Sequence, residues 1–200
     1  MELIIASNNA HKIEEIKAIL SSRFAPILSL QEAGIDIDVE EDGTTFEQNA
    51  TKKAVAIEAL RPASAILSDD SGLCVDALDG APGVYSARFS GEAHNDDTNN
   101  EKLLRELANV TDSQRTARFV SVLALSRPGY PLMIAEGHVA GRILHQPRGN
   151  NGFGYDPLFL DPTSGKSFAE MSSDEKNIVS HRANALAALE AQLCAEERAE

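Results

Sequence analysis

Two long apolar-rich segments, "TARFVSVLALS" at 116–126 and "PLMIAEGHVAGRIL" at 131–144, are separated only by "RPGY". Each has the length of a strand, and a Pro-Gly pair between two such runs reads as a hairpin turn. A connection this short cannot carry the chain across a sheet, so the two are expected to be antiparallel neighbours. The first third of the chain follows another pattern. "ELIIAS" reads as a short buried strand, and "HKIEEIKAIL" after it sets Ile13, Ile16, Ile19 and Leu20 at helical spacing. Early alternation of strand and helix with a late hairpin implies an α/β fold around a mixed sheet.

Between these anchors the chain fills in similarly. Residues 35–40, "IDIDVE", alternate apolar and acidic as a half-exposed strand would. A second helix is expected from about Thr45 to Leu60, with Phe46, Ala50, Ala54, Ile57 and Leu60 on its core side. It has two candidate starts, because Thr44 with Glu47 and Thr45 with Gln48 both match the capping-box spacing. "SAILSD" is the next strand, "DGAPG" a turn, and 97–109 a third helix carrying Leu103, Leu104 and Leu107. After the glycine-rich loop "GNNGFGYDP", one last helix is expected to begin near Ser172. Ser172 and Glu175 form another capping box there, and Val179, Leu186, Leu189 and Leu193 form the buried stripe.

Composition narrows the class. With 42% hydrophobic residues, 200 residues suffice for one large domain or two small lobes and argue against disorder. No apolar run approaches the roughly 18 residues that span a bilayer, and "MELIIASNN" lacks the basic start of a secretory signal. The expectation is a soluble, cytoplasmic protein that does not engage membranes. Cys74 and Cys194 fit neither a metal spacing nor a disulfide framework and suit a reducing compartment. A net charge of −13 argues against non-specific nucleic-acid binding, which needs a broad basic surface. A few lysines converging with a divalent cation could still hold a polyphosphate.

Five clusters could carry chemistry. "SNNAHK", residues 7–12, lies between strand and helix, where free N–H groups suit a phosphate, although on this cluster alone a plain helix cap with a solvated lysine is the better reading, since the glycine spacing of a phosphate loop is missing. In "VEEDGTTFEQNATKK", Glu40 and Glu41 are expected at a strand end on opposite faces, and Asn49 and Lys53 share a helix face. In "SDDSG", Asp69 and Asp70 also point apart if they continue the strand. One of them could bind magnesium with a glutamate, or an aspartate could cap a turn at Gly72. "GFGYDP" offers Phe153 and Tyr155 for stacking on a base, and "EKNIVSHR" ends in His181 and Arg182, an arginine able to donate to base carbonyls. His94, His138 and His145 have no metal-like spacing and receive no role.

In this order the segments "SNNAHK", "EEDGTTFEQNATKKA", "SDDSGLCVDALDGAPGVYSARFSG", "GFGYDP" and "DEKNIVSHR" resemble the Ham1-like, or inosine triphosphate pyrophosphatase, family over nearly the whole chain. The resemblance implies an elongated mixed β-sheet flanked by helices. It implies a single domain, 1–200, of two lobes with a central nucleotide-binding cleft, assembled as a homodimer. It also implies Mg²⁺-dependent cleavage of ITP, dITP and XTP to the monophosphate and pyrophosphate, which cleanses the nucleotide pool. Carried onto this chain, Ser7, Asn9 and Lys12, with Asn8, Ala10 and His11 beside them, resemble the first phosphate motif, while Asn49 and Lys53 resemble its helix positions. Glu41 and Asp70 resemble the metal carboxylates, with Asp70 as general base and Asp69 and Glu40 as supporting or alternative ligands. Ser71 resembles a substrate contact, and Phe153, Gly154, Tyr155 and Asp156 the base-binding segment. Lys176, His181 and Arg182 resemble the residues that reach the nucleotide from the last helix, with Arg182 as reader of the 6-oxo group.

Ser7 stands where threonine is common, and Asn150 and Asn151 precede Gly152 where the family often has glycine. Asparagine tolerates positive φ, so the loop is expected to survive. Alternatives are a Maf-like nucleotide pyrophosphatase of different base preference and a non-catalytic nucleotide-sensing module.

Overall fold

In a computed structural model describing residues 1–91 and 95–199, the hairpin segments form β4 (Thr116–Ser126) and β5 (Met133–Ile143). They are neighbours in a six-stranded sheet of order β2-β1-β3-β4-β5-β6. The remaining strands are β1 (Leu3–Ile5), β2 (Ile27–Ser29), β3 (Ala65–Val75) and β6 (Phe159–Leu160). β1 pairs in parallel with both β2 and β3, whereas β6 runs antiparallel to β5, so the sheet is mixed as expected. His94 lies outside the described residues.

Helices occur where the periodicity placed them. α1 (Ala10–Leu20) buries Ile16 and Leu20 and is capped by Asn9, whose side chain accepts from the Lys12 N–H at 3.1 Å. α2 (Phe46–Glu58) resolves its two candidate starts in favour of Thr45, whose hydroxyl accepts from Gln48 N–H. Gln48 also reaches back one residue further, its Oε1 accepting from Thr44 N–H at 2.9 Å. α3 (Asp96–Glu106) buries Leu103, with Leu107 buried just beyond its end. Ser172 and Glu175 form the expected capping box at the start of α4 (Ser173–Val179).

Four expectations need correction. Residues 35–40 form no strand; the alternation describes two faces but supplies no ladder partner, and Ile37 is exposed. The edge strand at that side of β1 is β2, a stretch too short to show a period. Leu60 is exposed because α2 ends before it. The strand starting at "SAILSD" continues through Gly72 to Val75, so neither aspartate caps a turn. The last helix is two helices. Ser180 is extended (φ −71°, ψ 160°) and ends α4, and α5 (His181–Glu197) starts at the next residue, with a serine where a helix N-cap is favoured.

The chain divides into two compact units, and β3, β4 and β5 contribute residues to both. The first comprises 1–70, 121–137 and 182–200; its core packs Leu3, Ile5, Leu67, Leu123, Leu186 and Leu189 together. The second comprises 71–120 and 138–181, with Phe119, Phe159 and Phe168 at its centre. Their rings lie 4.6 to 5.8 Å apart, as packed aromatic rings do.

Arg115 is buried in the second unit. Its Nε, Nη1 and Nη2 donate to the carbonyls of Ile143, Leu107 and Leu144 at 2.9, 2.7 and 2.9 Å, the second of these lying at the end of α3. A helix end carries partial negative charge and unsatisfied carbonyls, which explains how a guanidinium sits here. Arg115→Met leaves these acceptors orphaned, and we expect a loss of about 3 kcal/mol or more in urea unfolding.

Candidate active site

The second aspartate expectation holds in its geometry: along β3, Asp69 and Asp70 turn to opposite sides. Asp69 Oδ1 accepts from Lys12 Nζ at 2.7 Å, and its Oδ2 accepts from Ser121 Oγ at 2.8 Å and Arg182 Nε at 3.0 Å. Its side chain has no exposed surface. Burial alone would raise the Asp69 pKa, but Arg182 and Lys12 outweigh burial and hold the carboxyl well below its ordinary value. Arg182 is bonded to Glu15 on its other side, and these two carboxylates overcome burial to hold it cationic. Lys12 is shifted down, chiefly by burial, against the pull of Asp69.

Asp70 faces α2. Its Oδ2 accepts from Asn49 Nδ2 at 3.0 Å, and its Oδ1 lies 3.7 Å from Lys53 Nζ. Lys53 donates also to Glu41 Oε1 at 2.6 Å and to the Asp69 carbonyl at 2.7 Å. Glu41 and Asp70 thus converge on one ammonium. Burial raises the Asp70 pKa, opposed by Lys53 and Lys12 and assisted by Glu41. Asn49 is fully buried, and its Oδ1 accepts from the Gly43 N–H at 2.8 Å. A Cβ on residue 43 would stand 2.5 Å from that oxygen, so glycine is required there by close approach.

Other members of the first clusters are placed differently. Glu40 is exposed, and with no strand at 35–40 the expected facing of Glu40 and Glu41 has no pleat behind it. Ser7 Oγ accepts from Asn9 N–H and Asn9 caps α1, so both act as the helix cap. Ser7, Asn8 and Ala10 line a cavity of about 310 Å³ with Lys17 and Glu32, and His11 is exposed. Ser71 is half-buried on β3.

In the second unit, Lys176 is buried and donates to Asp156 Oδ2 at 2.7 Å, and its ammonium lies 4.7 Å from the centroid of the half-buried Phe153 ring. Asp156 Oδ2 also accepts from Phe153 N–H at 3.0 Å. Tyr155 is buried and its hydroxyl donates to the Ser86 carbonyl at 2.8 Å. Phe153 and Tyr155 therefore differ: one ring is partly open, the other is an anchor. His181 stacks on Phe119 at 4.7 Å. The left-handed positions of the loop fall on Gly149, Gly152 and Gly154, not on Asn150 or Asn151, which are held in place by their N–H bonds to Ala169.

The boundary between the units falls between His181 and Arg182, so Lys176 and His181 belong to the second unit and Arg182 to the first. Arg182 is held by Asp69 and Glu15 with 1% of its side chain exposed. Sequence reasoning missed Glu15 and Ser121. A glutamate in a charged helix and a serine within a strand carry no signal until Asp69 stands beside them.

The fold and these clusters define a mixed-sheet α/β protein with a carboxylate–lysine site suited to a phosphorylated ligand. A model of the Ham1 family matches residues 3–192. The dITP/XTP pyrophosphatase of Clostridium perfringens is 54% identical over 197 residues, covering 96% of this chain and 97% of that one. The dITP/XTP pyrophosphatase of Bacillus subtilis is 50% identical, covering 92% and 93%. The solved structure of the Staphylococcus aureus Ham1 protein superposes with a TM-score of 0.87 at 44% identity, covering 98% of this chain and all of that one. The chain belongs to the Ham1 family.

Replacing Asp69 takes the carboxylate from buried Lys12 and leaves Arg182 with Glu15 alone of its two. Asp69→Asn is expected to cost about 3–5 kcal/mol of stability at pH 7 by denaturant titration. Because the folded pKa of Asp69 is depressed, its contribution is complete above the unfolded value near ~3.9 and is lost as pH falls through the folded one. The variant has lost it already at pH 7, so its stability should decline less steeply on acidification.

Proposed function

We propose that the chain is a metal-dependent nucleoside triphosphate pyrophosphatase that hydrolyses ITP, dITP and XTP to the monophosphate and pyrophosphate. The observation that carries this reading is the convergence of Glu41 and Asp70 on Lys53 Nζ, at 2.6 and 3.7 Å. Two carboxylates and a lysine are the side chains that a divalent cation and a polyphosphate both require. The relatives named dITP/XTP pyrophosphatase support the substrate class.

The donor set fits magnesium. Mg²⁺ takes one or two carboxylates and completes its octahedron with water and phosphate oxygens. Among the described residues no three His, Cys, Asp or Glu side chains gather as a metal cage, which leaves the remaining positions to water and substrate. A magnesium ion held by Glu41 and Asp70 would neutralise charge on the phosphate oxygens and acidify a bound water.

The chain's own residues do the rest. Asp70 accepts a proton from the attacking water, and the burial that raises its pKa makes it a stronger base. Asn49 fixes the Asp70 carboxylate through Oδ2. Water adds to the α-phosphorus, the bond from that phosphorus to the α,β-bridging oxygen breaks, and pyrophosphate departs with the bridging oxygen. Lys53 supplies positive charge for the leaving group. Lys12 is a second cation of the same unit, held by Asp69. Asp69, with no exposed side-chain surface, supports rather than ligates.

Base selection falls to the second unit, where Phe153 offers a half-buried ring and Lys176 a cation beside it. Donors placed for a 6-oxo group would be left unpaired by the 6-amino group of ATP, and such mismatches discriminate strongly. Residues 1–200 act as one catalytic domain on this reading. We extend it to a cytoplasmic homodimer, in keeping with two free cysteines and a nucleotide substrate. Light scattering after size exclusion tests the dimer.

Pyrophosphate release from ITP with Mg²⁺, abolished by EDTA, is the expected result; binding without release would identify a sensor. Turnover of dTTP or UTP above ITP would instead point to the Maf-like base set. Asp70→Asn is expected to lower kcat by at least about a hundredfold. Near-normal turnover in that variant rules Asp70 out as the base. Gly43→Ala touches no reacting group, yet it displaces Asn49 and should reduce kcat by up to about a hundredfold in the same assay.

A further inference from the structure

The segment "GAPGVYSARFSG" and helix α3 have no part in the chemistry above, yet both are fastened to the loop that carries Phe153. The Ser86 carbonyl accepts from the Tyr155 hydroxyl at 2.8 Å. Asn99 of α3 binds the same segment, donating to the Ala87 carbonyl at 3.1 Å and accepting from Ser90 N–H at 2.7 Å. α3 also reaches the loop directly. Gly154 N–H donates to Asp96 Oδ2 at 2.7 Å, and the Gly154 carbonyl accepts from Asn100 Nδ2 at 2.8 Å.

Both hydrogen-bonding groups of one residue are thereby taken by side chains four apart on a single helix face. Gly154 has a left-handed backbone (φ 61°), which a glycine adopts without strain. Asp96 stands in the first turn of α3, where the helix favours an anion. Asn100 Oδ1 is buried with no hydrogen-bond partner among the described residues, and it is the amide nitrogen that makes the bond to the loop. On the other side of Phe153, its own N–H is fixed by Asp156. The ring is carried between two backbone segments that cannot rotate freely.

We propose that Asp96 and Asn100 are positioning residues for base recognition: by gripping Gly154 they hold the Phe153 ring in the orientation on which a purine stacks. This inference rests on the pyrophosphatase reading. Glu41, Asp70 and Lys53 belong to the other unit, so the pair acts on base-dependent binding and leaves the hydrolytic step alone.

The test combines hydrogen exchange with steady-state kinetics on the full chain. Asn100→Asp is isosteric and sets an acceptor against the Gly154 carbonyl; Asp96→Ala removes the acceptor for its N–H; Asp96→Asn keeps an oxygen there. Asn100→Asp and Asp96→Ala should speed amide exchange in peptides covering Gly154 by roughly tenfold or more, the loss of a charge-assisted bond or its equivalent. They should raise KM for ITP by about the same factor while kcat stays within about threefold, and Asp96→Asn should restore most of the wild-type KM. Thermal melts verify that each variant is folded, and Asp96→Asn carries the comparison if Asp96→Ala is not.

Unchanged exchange in folded Asn100→Asp and Asp96→Ala would overturn the grip. Faster exchange with an unchanged KM, or a loss confined to kcat, would overturn the role in recognition. A wild-type protein that releases no pyrophosphate from ITP would refute the activity and the recognition role together, and the exchange rates would still decide whether α3 holds the loop.

Discussion

Asp69 is a carboxylate withdrawn from water and held by Arg182, Lys12 and Ser121, and much of the first unit is organised around it. A buried charge is tolerated only when its partners satisfy it, and here the partners come from far apart in sequence: Lys12 from α1, Ser121 from β4, Arg182 from α5. Glu15 completes the set by meeting the outer side of the guanidinium. The network ties two helices and a strand to β3 at the residue that immediately precedes Asp70. Its electrostatics keep Asp69 ionised, so the positive charge of Lys12 and Arg182 is spoken for before any ligand arrives.

Strand alternation then gives Asp70 a different fate. One residue further along β3, its side chain meets Asn49, Lys53 and Glu41, and its burial is only partly compensated, which moves its pKa in the opposite direction from that of its neighbour. Two adjacent aspartates with opposite shifts are what a division of labour between support and chemistry needs. In the second unit the same economy recurs with aromatics. Tyr155 spends its hydroxyl on Ser86 and is buried, while Phe153 stays half-buried beside Lys176.

Much of this was legible in the residues. The hairpin of β4 and β5, the strand–helix start, the helix cap at Thr45, the capping box at Ser172, and the opposed faces of Asp69 and Asp70 all follow from short-range rules of period and capping. Where the reading failed, a partner was missing from the local pattern. "IDIDVE" has a strand's alternation without a neighbour to pair with. "EKNIVSHR" looked like one helix because an extended serine leaves no mark in hydrophobic spacing. The ion pairs of Arg182 left no mark either, because its two carboxylates, Asp69 and Glu15, lie 113 and 167 residues away.

By itself, then, the sequence determined the class of fold, the order of its elements, and the family, through motifs whose residue types are fixed by local chemistry. It also determined that Asp69 and Asp70 would not act as one pair, since period two is a property of any strand. Only the tertiary structure decided which of them would be saturated by cations and which would face Glu41 and Lys53. Only it decided that Tyr155 anchors while Phe153 remains half-buried, and that Asp96 and Asn100 hold Gly154. These are long-range outcomes, set by which side chains packing brings to a buried carboxylate or a loop peptide, and no local pattern encodes them.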